Sequence, residues 1–165
     1  MSIAQSEKEV SKITVKVLRA GAAVFGLLAG IGYNRKRDGY NNMNRQDAFD
    51  RLVAEAVDAL PESFLEKLDN VEILVEDWPD RETLREVGLR RPEDLLGFYH
   101  GVPLTERSYD YGLTLPDKIS IYREPILARC RTWEEVRAMT ERVVRHEVAH
   151  YFGIDDERLH EIGAY

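Results

Sequence analysis

Hydrophobic positions between residues 45 and 60 fall on one helical face. Ala48, Phe49, Leu52, Val53, Ala56, Val57 and Leu60 recur at three- and four-residue intervals, which predicts an amphipathic helix over 45–59, stopped by Pro61. A short second helix is expected next, with Phe64, Leu65 and Leu68 facing inward. The spacing then changes: Val71-Glu-Ile-Leu-Val-Glu76 is rich in β-branched residues and reads as a strand ended by Trp78-Pro79. Residues 80–87 predict one or two helical turns, broken at Arg91-Pro92. Leu95–Tyr99 and Ile119–Tyr122 are the next strand candidates, with Gly101, Pro103, Gly112 and Pro116 punctuating the segment between them. Thr132 is a good N-cap, Glu135 completes a capping box, and Trp133, Val136, Met139, Val143 and Val144 carry the apolar spacing on towards His150. No internal repeat or low-complexity tract interrupts this order. The expected class is α+β, a small mixed sheet packed against a long C-terminal helix.

Composition narrows the picture. A chain of 165 residues, 44% hydrophobic and 32% charged, has material for one self-standing core. Its net charge is −7, and seven of its 23 basic residues but only three of its 30 acidic ones precede Met43, so the body is strongly acidic. That sign argues against a nucleic-acid partner. The single cysteine, Cys130, forms no intramolecular disulfide, which fits a reducing cytoplasm, and it is expected to be a small buried hydrophobe.

Residues 1–42 differ from the rest. They hold a 14-residue uncharged stretch, Ala20–Tyr33, between Arg19 and Arg35-Lys36-Arg37. A bilayer-spanning helix needs about 20 apolar residues, and no A-x-A cleavage site follows. The expectation is a weakly ordered N-terminal extension, or sequence upstream of a true start at Met43. A weak membrane-surface contact through residues 17–37 is the alternative.

Three of the four histidines lie in the last twenty residues, within His146-Glu-Val-Ala-His-Tyr-Phe-Gly-Ile-Asp-Asp-Glu-Arg-Leu-His160. On a helix, His146 and His150 are one turn apart and share a face, so both imidazoles can reach one ion. Glu147 would then sit at the open side of that ion, where it can take a proton from water without being a ligand. Gly153 permits a left-handed C-cap, and Asp156, three residues on, can return to supply a third ligand.

These residues resemble the H-E-x-x-H-x-x-G-x-x-D form of the zincin signature, as carried by the small bacterial metallopeptidase-like proteins called minimal zincins. Leu95–Arg107 and Leu115–Leu127 are similar to that family's other recurring stretches, so the resemblance covers residues 43–165 and leaves 1–42 without a counterpart. It implies a small sheet on an active-site helix, with His146, His150 and Asp156 as metal ligands and Glu147 as general base. The third histidine and methionine turn of metzincins are missing, since Met1, Met43 and Met139 all precede the site. Glu161 lies too near His150 for the distant glutamate of gluzincins. His160, one turn beyond Asp156, is a candidate outer partner or fourth ligand, and His100 reads as a strand-end histidine.

The expected function is a zinc-dependent metallopeptidase with one Zn²⁺ per chain, other divalent metals being acceptable to such a donor set. Its partner would be a peptide or protein laid along a strand edge, with 97–101 the candidate edge. Tyr99, Tyr122, Tyr151 and Tyr165 are candidate oxyanion donors. Two alternatives remain: a catalytically silent metal-binding module, and a metal-dependent RNA-processing hydrolase with a related histidine frame. Glu147 and the acidic body oppose the latter.

Overall fold

The computed structural model describes residues 14–17, 42–107 and 116–162. The segment 18–41, where the candidate membrane-surface stretch falls, lies outside them, as does Tyr165. No helix among the described residues is long and apolar enough to cross a membrane.

The first helix, α1 (Asn42–Asp58), buries the predicted stripe of Phe49, Leu52, Val53, Ala56 and Val57. A short α2 (Glu62–Leu65) follows Pro61. Here Leu68 is buried as expected, but Phe64 faces outward and sets its ring edge-on against Phe152, with centroids 5.0 Å apart. The strand β2 (Val71–Glu76) has the expected bounds, and α3 (Arg81–Glu86) is capped by Asp80, whose carboxylate accepts the Thr83 N–H. A 3₁₀ turn at Pro92–Asp94 leads into β3 (Gly97–His100), and a second, Leu104–Glu106, follows it. Then come β4 (Asp117–Tyr122), α4 (Arg123–Arg129), the long α5 (Trp133–Tyr151) and α6 (Asp156–Glu161).

Three elements fall outside the sequence expectation, one of which, α6, belongs to the site. Residues Thr14–Val17 form a strand, β1, paired in parallel with β2 in the register Thr14↔Glu72 to Val17↔Val75. Four residues contain too few alternations to stand out in a sequence; the backbone groups on the edge of β2 supply the reason to pair. The second is α4, whose Pro125 would break a helix interior. It sits in the first turn, where its missing N–H has no partner to lose, and Ile126 and Leu127 are buried behind it.

The sheet runs in the order β1-β2-β4-β3, with β1, β2 and β4 parallel and β3 antiparallel at one edge. It is a small mixed sheet in an α+β fold, as expected. Val71, Ile73 and Val75 of β2, Ile119 and Ile121 of β4, and Tyr99 of β3 share one face, and α1 and α5 cover it to make the core. On the other face, the Thr83 side chain of α3 hydrogen-bonds Tyr122.

Candidate metal centre

The site is assembled on α5. Thr132 caps its start reciprocally with Glu135: the Thr132 hydroxyl accepts the Glu135 N–H at 3.2 Å, and the Glu135 carboxylate accepts the Thr132 N–H at 3.4 Å. Val136, Thr140, Val143, Val144, Glu147, Val148 and Tyr151 turn inward. His146 and His150 lie beside that stripe, half-buried, where the helix passes the outer edge of the sheet.

The end of α5 directs the chain back. Gly153 has φ +78°, and the Gly153 N–H donates to His150 O at 2.9 Å while the Ile154 N–H donates to Ala149 O at 3.0 Å. Those two bonds are a Schellman ending, whose left-handed residue is best filled by glycine. A β-carbon there would also collide with the Thr105 side chain. Asp155 then caps α6 by accepting the Arg158 N–H at 2.8 Å, which leaves Asp156 as its first residue, opposite the two imidazoles.

The three predicted ligands converge. His146 Nε2 and His150 Nε2 are 3.0 Å apart, and Asp156 Oδ1 is 3.2 Å from the first and 3.5 Å from the second. For ligand bonds near 2.0–2.1 Å, neighbouring donors on a tetrahedron are about 3.3 Å apart, so the set fits Zn²⁺ in size and chemistry. The His150 Nδ1 lies 2.9 Å from Ile154 O; with the proton there, donating to that carbonyl, Nε2 keeps its lone pair for a cation. Burial, then the neighbouring His150, holds His146 below its ordinary pKa and so favours the neutral, ligating form.

Glu147 is turned inward, 5% exposed, beneath β3. A β-carbon on Gly97 would stand 2.7 Å from Glu147 Oε1 and equally near Val143, so only glycine lets the strand lie this close to the helix. Burial pushes Glu147 up to about 8; the Tyr99 backbone N–H, which hydrogen-bonds its carboxylate, pulls the other way, and the charge of Asp156 adds to the rise.

The remaining candidates are placed elsewhere. His160 is exposed on α6, outside the three-donor group. His100 lies 3.3 Å from Ser120 Oγ and 4.5 Å, between centroids, from the Phe98 ring; burial, then Lys118, lowers its pKa to about 4. Cys130 is buried, as expected, and its burial pushes the thiol up. Three of the four tyrosines proposed as oxyanion donors have other duties. The Tyr99 hydroxyl donates to Asp117 Oδ2 at 2.7 Å, the Tyr151 hydroxyl donates to Asp69 O at 3.1 Å, and Tyr122 is buried on the far side of the sheet.

Sequence reasoning missed Arg107 and Asp117, an ion pair that ties β4 to the turn after β3 and holds Tyr99 in place. The Arg107 guanidinium also lies 4.8 Å from the Tyr151 ring centroid, bracing α5 just beyond His150. The signal for this brace is only that a charged pair flanks the loop, which many surface pairs share.

The sequence profile of the zincin-like metallopeptidases matches residues 68–164, more than half of the chain. No curated protein matches it.

Proposed function

This chain belongs to the zincin-like metallopeptidase family, and from that premise we propose that it is a zinc-dependent peptidase with Glu147 as its general base. The observation that carries the reading is the convergence of His146, His150 and Asp156 within 3.5 Å of one another beside a buried glutamate. A divalent cation held by those three side chains would polarise a peptide carbonyl and make water nucleophilic near neutral pH. Glu147 takes the proton that water gives up as it attacks the carbonyl carbon. It returns that proton to the departing amine as the C–N bond breaks. Burial raises the proton affinity of its carboxylate, which suits a group that must accept a proton and hold it between the two steps.

The edge of β3 would hold the substrate. Leu96 O accepts the Tyr122 N–H at 2.9 Å, and bonding alternates along an antiparallel ladder, so Gly97 and Tyr99 turn their backbone groups away from β4; Glu147 takes the Tyr99 N–H, and the Gly97 N–H and C=O and the Tyr99 C=O face the cleft. An extended peptide can pair with that edge directly above the imidazoles. Cytoplasmic residence and the absence of a nucleic-acid partner belong to the same reading; their support is the lone buried cysteine and the net charge of −7.

Elemental analysis with a peptide-library digest tests the proposal. One metal per chain is expected, lost in His150→Ala; Glu147→Gln should keep the metal and cleave about 10²–10⁴-fold more slowly. Metal content indifferent to His150→Ala, or cleavage indifferent to Glu147→Gln, overturns it. The second result would favour the silent metal-binding module.

A further inference from the structure

The cleft that contains the three donors has a second wall. Its volume is about 350 Å³, and Val87, Leu95 and Phe98 line it together with the donors. Val87 terminates α3, and Phe98 stands on the opposite face of β3 from Tyr99, since successive strand residues alternate. The cleft therefore wraps around the outer edge of β3, with the imidazoles and carboxylates below and apolar side chains above.

A peptide added to that edge inherits the same alternation. Its residue paired with Phe98 projects to the Phe98 side, while the residues before and after it project towards α5. Charge sorts the occupant as well. The lining includes the carboxyl groups of Glu147 and Asp156 and, among the described residues, no lysine or arginine. A carboxylate brought beside Phe98 would lose water against an apolar wall with no cationic lining residue, among those described, to pair with it; a leucine or phenylalanine would cover apolar surface.

Building on the peptidase reading, we propose that Val87, Leu95 and Phe98 form a specificity subsite. It selects extended peptides with a neutral apolar side chain paired with Phe98, close to the scissile bond, and rejects acidic side chains at that position. Val87 is the discriminating residue, because it closes the apolar wall from a separate helix.

Calorimetric titration of the metal-free full chain reads this without catalysis, using blocked alanine hexapeptides that carry one central Leu, Ser or Asp. The Leu peptide should bind at least about tenfold more tightly than the Ser peptide, with Asp weakest. Val87→Lys should cancel the disadvantage of Asp while the unfolding temperature stays unchanged. Leu95→Lys is the second variant if the first does not fold. No measurable binding, equal affinities, or an order that both lysine variants leave untouched overturns the subsite. The zinc-loaded chain then separates the two ideas. Binding in the predicted order without cleavage counts against the peptidase and for the subsite; Glu147-dependent cleavage that ignores Leu and Asp counts against the subsite alone.

Discussion

Two polar clusters anchor this fold, and they differ in where their positive charge comes from. At the ends of β2 and β4, Arg123 is almost buried, with a side chain 8% exposed; it is ion-paired with Asp77 and lies 3.7 Å from Asp50 of α1. The cation is covalently part of the chain. Beside α5, His146, His150 and Asp156 bring together two imidazole nitrogens and a carboxylate, none of which supplies a fixed positive charge. The first cluster carries its own cation and serves architecture, whereas the second would be completed by a cation from outside and so can serve chemistry.

The sharpest way to break that contrast is to remove the built-in cation. Arg123→Met should destabilise the protein by about 2–3 kcal/mol, at or below the lower end for a broken buried pair because Asp77 reaches solvent. Metal content should be unaffected. Adding Asp50→Asn should recover part of the loss, as read by urea unfolding; an Arg123→Met variant as stable as the parent would mean that the cluster does no structural work. Withdrawing the external cation should act on the other cluster only. At a free metal concentration a hundred times the dissociation constant, chelation should lower stability by about 2.7 kcal/mol, and the same chelator should do nothing to His150→Ala. Equal chelator sensitivity in the two proteins would place the ion elsewhere.

The smallest effect concerns His100, a histidine outside both clusters. Its folded pKa is lowered from 6.5 to about 4, so the unfolded chain binds more protons between those values. Its contribution is fully present above pH 6.5 and is lost as pH falls towards 4, levelling off below. Because the ring is only half-buried, solvent screening limits the loss to on the order of 1 kcal/mol. His100→Gln should flatten stability over that range, and an unchanged slope would assign the acid sensitivity to other groups.

How much of this could be read from the sequence varied with distance along the chain. The strand Val71–Glu76 and the reciprocal cap at Thr132 and Glu135 matched their expectations, because each is specified by residues within a few positions of one another. The strand Thr14–Val17 did not emerge, because its partner lies some 58 positions away. Nor did α4, whose seven residues are too few for a period to show. Phe64, counted as a core residue on its spacing, faces outward because a helix of four residues has no settled inner face. At the site, the convergence of His146, His150 and Asp156 was legible, but the hydrogen bond from the Tyr99 backbone to Glu147 was not. Neither was the glycine that admits that carboxylate, nor the Arg107–Asp117 brace behind it.

By itself, the order of amino acids determined that two imidazoles and one carboxylate would meet. All three lie within eleven positions, and helix pitch, a left-handed glycine and a capped second helix are local rules that carry one into the next. Only the tertiary structure decided that Glu147 would be buried, that the outer edge of β3 would lie beside the donors, and that Val87 would complete the cleft. Those outcomes depend on β3 being pressed against a helix some 50 residues further on, with α3 on the other face of the sheet. Such contacts are set by how the whole core packs and leave little periodic trace in the segments they join.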